Sequence, residues 1–181
     1  MKTGTLEGAL LAGALALALS TASAAEPIDG HRRAAEEPAE ATAPEVHTLN
    51  SRFARIVVVR LKNQVDMLEG LKTAVAREKI KNAVILSGAG SLVSYHVHVV
   101  GNTTLPATLA FIKDEGPFDL LTTTGYIIEG RVHAHITFAD TKQTLGGHLE
   151  PGTRVFTFAI ITLGVLEEGT SLKRFDDSAW R

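Results

Sequence analysis

Residues 131–149, RVHAHITFADTKQTLGGHL, bring three histidines into one short stretch. His133 and His135 are one residue apart. Side chains alternate across a strand, so an extended chain would set Arg131, His133, His135 and Thr137 on one face. The opposite face would carry Val132, Ala134, Ile136 and Phe138, an apolar surface suited to a core. The facing of His148 depends on the connecting loop. A two-residue turn at Thr141-Lys142 puts His148 opposite His135 and Glu150 opposite His133, whereas an odd-length loop sends His148 to the core side. A bulge at Gly146-Gly147 would break that count. In the simplest register three imidazoles converge within reach of one ion. Neutral imidazole suits zinc and its neighbours at roughly 2.0–2.1 Å, and three nitrogens plus a water make the open tetrahedral site of zinc hydrolytic enzymes. Glycines beside His148 would admit close approach of backbone or of an exogenous group. Three polar residues on a wet strand face have the same spacing, so the residues alone leave both readings open.

The elements that would position this hairpin are legible in outline. RFARIVVVRL holds a β-branched run, Arg55–Leu61, that reads as a buried strand. Val65, Leu68, Leu71 and Val75 then recur at helical spacing, with Asn63 as the expected N-cap, Asp66 near the positive end of the dipole and an end near Lys79–Asn82. Gly88–Ser91 resembles a phosphate loop in shape, but it lacks the lysine and a following helix, so it reads as a tight turn. LVSYHVHVV alternates, with Tyr95 on the core side and Ser94, His96 and His98 on a polar face expected to be solvated. FDLLTTTGYIIEG, the hairpin, and RVFTFAIITLGVLEE complete the set, the last apolar on both faces as a central strand is. Asp114, Asp119 and Asp140 read as loop and strand-end residues. One principal helix with about six or seven strands makes an α+β domain with a mainly antiparallel sheet.

The 181 residues suffice for one domain with a real core once the front end is set aside. Residues 1–24 read as a signal peptide: Lys2, an Ala/Leu run over Gly8–Leu19, and the small-residue cleavage pattern Ala22-Ser23-Ala24. That run is shorter than the roughly 20 apolar residues a membrane span needs, so no stable membrane anchor is expected. Residues 25–51, rich in Ala, Glu and Pro, read as a flexible linker in which His31 and His47 are solvated. The folded domain is expected over 52–177, with a tail at 178–181. The absence of cysteine removes disulfides and thiolate ligands, leaving histidine and carboxylate as the strong metal donors. Such an exported protein suits the periplasm or the outside medium. Loss of Lys2 and Glu7 on cleavage removes one charge of each sign, so the net charge stays at −2. Without a basic field, nucleic acid is a disfavoured partner.

Taken together, the first strand and helix, VILSGAGSL, FDLLTTTGYI, GRVHAHITFADTKQTLGGHL and the long apolar last strand resemble the plant-and-prokaryote conserved (PPC) domain, in its prokaryotic branch. The resemblance runs from about Arg52 to Asp177, and its most specific part is the H-x-H pair followed by G-G-H-L at His133, His135, Gly146, Gly147, His148 and Leu149. It implies a compact α+β fold, a homotrimer, and a divalent metal, zinc, held by His133, His135 and His148. Plant members bind DNA through a separate Arg-Gly-Arg-Pro segment, and that segment is absent from this sequence.

Two functions of different class fit these residues. One is an exported trimeric module that holds a divalent metal and a small ligand beside it. The other is a metal-dependent hydrolase or lyase using water on zinc, with Glu150 as general base and Glu129 behind it. A third, DNA binding through the fold itself, is the least favoured, for want of charge and contact segment.

Overall fold

A computed structural model describes residues 43–180 together with Met1. The signal peptide and residues 25–42 of the linker lie outside the described residues. Six strands and one α-helix follow in the order β1 (Phe53–Lys62), α1 (Met67–Arg77), β2 (Ala83–Val100), β3 (Leu109–Ile128), β4 (Arg131–Ala139), β5 (Thr144–Leu149) and β6 (Arg154–Leu166). Short 3-10 turns at Lys173–Asp176 and Ser178–Trp180 end the chain. The sheet runs β1-β6-β2-β3-β4-β5 with every pair antiparallel. A further pairing of β5 with the end of β2 closes β2, β3, β4 and β5 on themselves. Among the described residues no helix is long and apolar enough to cross a membrane.

The core forms where alternating apolar faces meet the helix. Val59 and Leu61 of β1, Ile161 and Leu163 of β6, and Ala134, Ile136 and Phe138 of β4 bury themselves with Met67, Leu71 and Val75 of α1. Tyr95 joins them, its ring 4.3 Å from Phe138 and 5.0 Å from Phe118 between centroids. The central position of β6 matches its two-sided apolar character.

Several elements differ from their sequence reading. Asp66, not Asn63, caps α1: its Oδ1 accepts from Glu69 N at 3.1 Å and its Oδ2 from Gly152 N at 2.6 Å. Asn63 instead donates to the Phe156 carbonyl. The helix stops at Arg77, and Lys79 beyond it turns left-handed at φ 53°. Gly88–Ser91 is not a turn, because β2 stays extended through it. The glycines serve close packing: a Cβ on Gly88 would collide with Thr123 Oγ1, and one on Gly90 with the Phe158 carbonyl. β3 begins at Leu109 rather than Phe118, so Asp114 and Asp119 sit within a strand, paired with Tyr95 and Ser91 of β2. Asp140 does lie in a loop, where its Oδ1 accepts from Lys142 N and Gln143 N at 2.7 and 2.8 Å. The end of the linker is engaged rather than free: the His47 ring lies 4.9 Å from Phe175 and 5.1 Å from Trp180.

Candidate metal centre

The β4–β5 hairpin has the register of a two-residue turn. Asp140 N donates to the Gln143 carbonyl at 3.0 Å, and His135 pairs with His148. No bulge forms at Gly146-Gly147, which pair in sequence with Thr137 and Ile136. Those glycines let β5 fit between two neighbours. A Cβ on Gly146 would lie 2.7 Å from the Ile136 carbonyl of β4, and one on Gly147 2.6 Å from the His98 carbonyl of β2. Along β4, Ala134, Ile136 and Phe138 are buried while His133 and His135 keep solvent exposure, the alternation expected of a half-covered strand.

His133, His135 and His148 converge. One ring nitrogen from each lies within 4.8 Å of the others. Ring centroids are 5.5 Å apart for His133–His135, 4.9 Å for His133–His148 and 5.1 Å for His135–His148, and His148 stands edge-on to both partners. Nitrogens sharing a tetrahedral zinc sit roughly 3.3 Å apart, given Zn–N bonds near 2.05 Å, so modest side-chain rotations would close the trio on one ion.

The electrostatics favour ligands over cations here. Burial, followed by the charges of His133, His98 and His135, lowers the His148 pKa from 6.5 to about 4, against a smaller opposing pull from Glu150. His135 is lowered by the same kinds of cause, burial first and then His133 and His98. His148, the more enclosed residue, carries the stronger shift. Both imidazoles are therefore neutral at pH 7, each with a lone pair available. This donor set fits zinc.

Glu150 does not face His133. The chain leaves β5 after Leu149, and Glu150 N donates to the His96 carbonyl of β2 at 3.0 Å. The Glu150 carboxylate instead meets His98 Nδ1 at 2.6 Å. His98, expected from sequence to be solvated, pairs with His148 across β2 and β5 and stacks on it at 4.5 Å. Donor atoms of His98, His148 and Glu150 make a second group within 4.8 Å of one another, sharing His148 with the first. His96 instead secures the β5–β6 turn. Its Nδ1 bonds the Pro151 carbonyl at 2.8 Å, and Thr153 Oγ1 bridges its backbone N–H and carbonyl at 3.0 Å each. Glu129 lies among Asn82 and Ser171, whose hydrogen bonds of 3.0 and 2.7 Å lower its pKa, Ser171 acting most.

Sequence reasoning misses two participants. The ring of His98 is placed by closure of β5 onto β2, which the alternation of β2 does not encode. Asp176, near the chain end, brings its Oδ1 to 4.0 Å from His133 Nδ1 while its Oδ2 accepts from Arg131 at 3.1 Å. No local pattern marks it.

Comparison with known proteins gives the fold a context. The profile of the Plants and Prokaryotes Conserved (PCC) domain, the PPC domain under its other abbreviation, matches residues 49–167. A crystal structure of a plant- and prokaryote-conserved protein from Pyrococcus horikoshii is similar at a TM-score of 0.62, with 22% identity, covering 75% of this chain and 94% of its own. A metal-containing protein from Archaeoglobus fulgidus is similar at a TM-score of 0.57, with 17% identity, covering 66% and 86% respectively. The bifunctional protein GlmU of a Synechococcus strain is 27% identical over 127 residues, which is 70% of this chain but only 20% of that protein. The chain thus spans about a fifth of the length of this curated relative.

Proposed function

We propose that this chain, which belongs to the Plants and Prokaryotes Conserved domain family, is an exported binding module that assembles as a homotrimer and holds a divalent metal, zinc, through His133, His135 and His148. One observation carries this reading: three imidazoles, two of them kept neutral by burial, offer nitrogens within 4.8 Å of one another on the polar face of a hairpin. The Archaeoglobus relative is itself described as metal-containing, which agrees with it. Assembly is supported by an apolar outer face on which Ile56, Val58, Leu121, Phe156, Phe158 and Ile160 are all exposed in the single chain. Export rests on the Ala/Leu run and cleavage pattern of residues 1–24. Nucleic acid is disfavoured by a net charge of −2.

When bound, a zinc ion of this kind supplies a Lewis-acid position for an oxygen ligand. The protein's part is to hold His135 and His148 neutral, orient the three imidazoles through the hairpin register, and shield one side with the apolar layer of β4. Metal analysis of the untagged mature protein tests the reading. One equivalent per chain, lost in His148→Ala, is expected; a metal-free preparation that gains none on incubation with zinc, and a variant that behaves like the parent, would sink it.

Glu150 gives a specific reason to retain a metal-dependent hydrolase or lyase as a second reading. Its carboxylate lies beside His98 and His148, close enough to take a proton near the centre. Its hydrogen bond to His98 is also the reason to rank it second, since that oxygen is already engaged. Turnover of ester or lactone panels that depends on both zinc and Glu150 would promote this reading above the first.

A further inference from the structure

The matched family domain ends at residue 167, but the chain continues and folds back toward the histidines. Asn82, itself buried, anchors this segment: its Nδ2 donates to the Thr170 carbonyl at 2.9 Å and its Oδ1 accepts from Leu172 N at 3.2 Å. Ser51 Oγ and Thr170 Oγ1 meet at 2.8 Å, tying in the segment that precedes β1. Between the two terminal segments and the sheet lies a cavity of about 590 Å³. Its walls are largely apolar, with Phe53, Tyr126, Ile128, Leu166, Leu172 and Phe175 among them; Thr48 and Ser51 add hydroxyls, and His133 and Asp176 add an imidazole and a carboxylate to the lining. Tyr126 is the strand neighbour of His133, so the cavity and the histidine trio have a wall in common. A larger hollow of about 750 Å³ exists over the outer sheet face, but it shares no residue with the histidines.

We propose that the smaller cavity binds a small organic carboxylate with an apolar body, aromatic or medium-chain, whose head group meets the metal at the His133 wall. This rests on the metal reading above. The class follows from complementarity. The cavity size lies within the range of roughly 300–1,000 Å³ that small-molecule sites occupy, with mostly apolar walls and few polar groups. Imidazole nitrogens, unlike carboxylates, bring no negative charge to a divalent cation, so its charge is left uncompensated. The nearest carboxylate on that wall, Asp176, is already paired with Arg131 at 3.1 Å. An anionic oxygen donor therefore complements the polar end, and a hydrocarbon body complements the rest.

Cobalt substitution tests this with a readout independent of any activity. The untagged protein is loaded with cobalt, and its visible spectrum is followed during titration with phenylacetate or hexanoate. Saturable spectral changes are expected, with affinity at least roughly tenfold tighter than for acetate, the headgroup without a body, because burial of a ring or chain contributes that much. Phenylethanol, the body without the charge, should leave the spectrum unchanged, and chelated protein should lose the preference. Tyr126→Ala, at a half-exposed strand position, should leave the cobalt spectrum intact and weaken phenylacetate at least roughly fivefold. The proposal is overturned if cobalt binds but phenylacetate binds no better than acetate, or if Tyr126→Ala has no effect. Failure of cobalt to bind at all strikes the metal reading instead, and this proposal with it.

Discussion

His148 is the residue on which both donor groups depend, since it belongs to the His133–His135 trio and to the group formed with His98 and Glu150. That overlap makes two substitutions informative together. His148→Ala should abolish stoichiometric metal under either arrangement. Glu150→Gln should retain it, because Glu150 hydrogen-bonds His98 and is not one of the three donors of the trio; loss of metal from that variant, measured by isothermal titration with zinc, would move the centre to the second group. The same residue sets a pH dependence for the metal-free protein. Its folded pKa of about 4 lies below the ordinary 6.5, so the unfolded chain binds the proton more readily than the native one. Stability contributed by this site is fully present above pH 6.5 and is lost as pH falls toward about 4, with His135 acting in the same direction. Melting temperatures of metal-free protein across that window should decline on acidification, and His148→Asn should flatten the decline. A profile unchanged by the substitution would contradict this origin.

At the scale of elements, the hairpin is the most legible part of the sequence, because its signals are local: alternation fixes the faces of β4, and loop parity fixes the facing of His148. What escapes is set by partners distant in sequence. Gly88 and Gly90 look like turn residues, yet they are glycine because Thr123 and the Phe158 backbone press on them. The first half of β3 carries Lys113, Asp114, Glu115, Gly116 and Pro117, a poor strand signal, and it is extended because β2 supplies a pairing edge from Ser94 to Val100. Closure of β5 onto β2 is likewise invisible locally, and it is what brings His98 beside His148. This closure can be tested at Gly147. A methyl group there would lie 2.6 Å from the His98 carbonyl, so Gly147→Ala should force β5 away from β2, at a cost of about 1–3 kcal/mol as overpacked sites show. Zinc affinity should fall with it, since His148 is the next residue. At the start of α1, Asp66→Ala removes the side-chain acceptor for both Glu69 N and Gly152 N without altering any of the three histidines, and should cost about 1–2 kcal/mol in urea unfolding while lowering zinc affinity far less than Gly147→Ala. Equal effects of the two variants on metal affinity would argue that the centre responds to global stability alone.

At the largest scale, the sheet has two unequal sides. The inner side of the sheet is covered by α1, and there Val59, Leu61, Ile161 and Leu163 are buried. On the outer side of the same strands, Val58 and Ile56 of β1 and Phe156, Phe158 and Ile160 of β6 remain between 39% and 65% exposed. Arg60 lies over the Phe158 ring at 5.5 Å, the cation–π contact of a long side chain shielding what it can. A central strand that is apolar on both faces is suited to being covered twice, and the described residues cover it once. A second copy would supply the missing layer without new sequence, and three copies are the closed assembly proposed above. Sedimentation should therefore give three times the chain mass. Ile160→Lys and Val58→Lys each place a charge on the outer face without touching the core, so both should shift the protein toward the single-chain mass while the far-ultraviolet circular dichroism stays that of the parent. Metal stoichiometry per chain should survive in these variants, because all three histidines come from one hairpin. If the metal is lost with the assembly, the hairpin alone does not complete the centre, and a neighbouring copy must contribute to it. A parent protein that sediments as a single chain at micromolar concentration would leave the outer face without its expected cover and rule out the trimer.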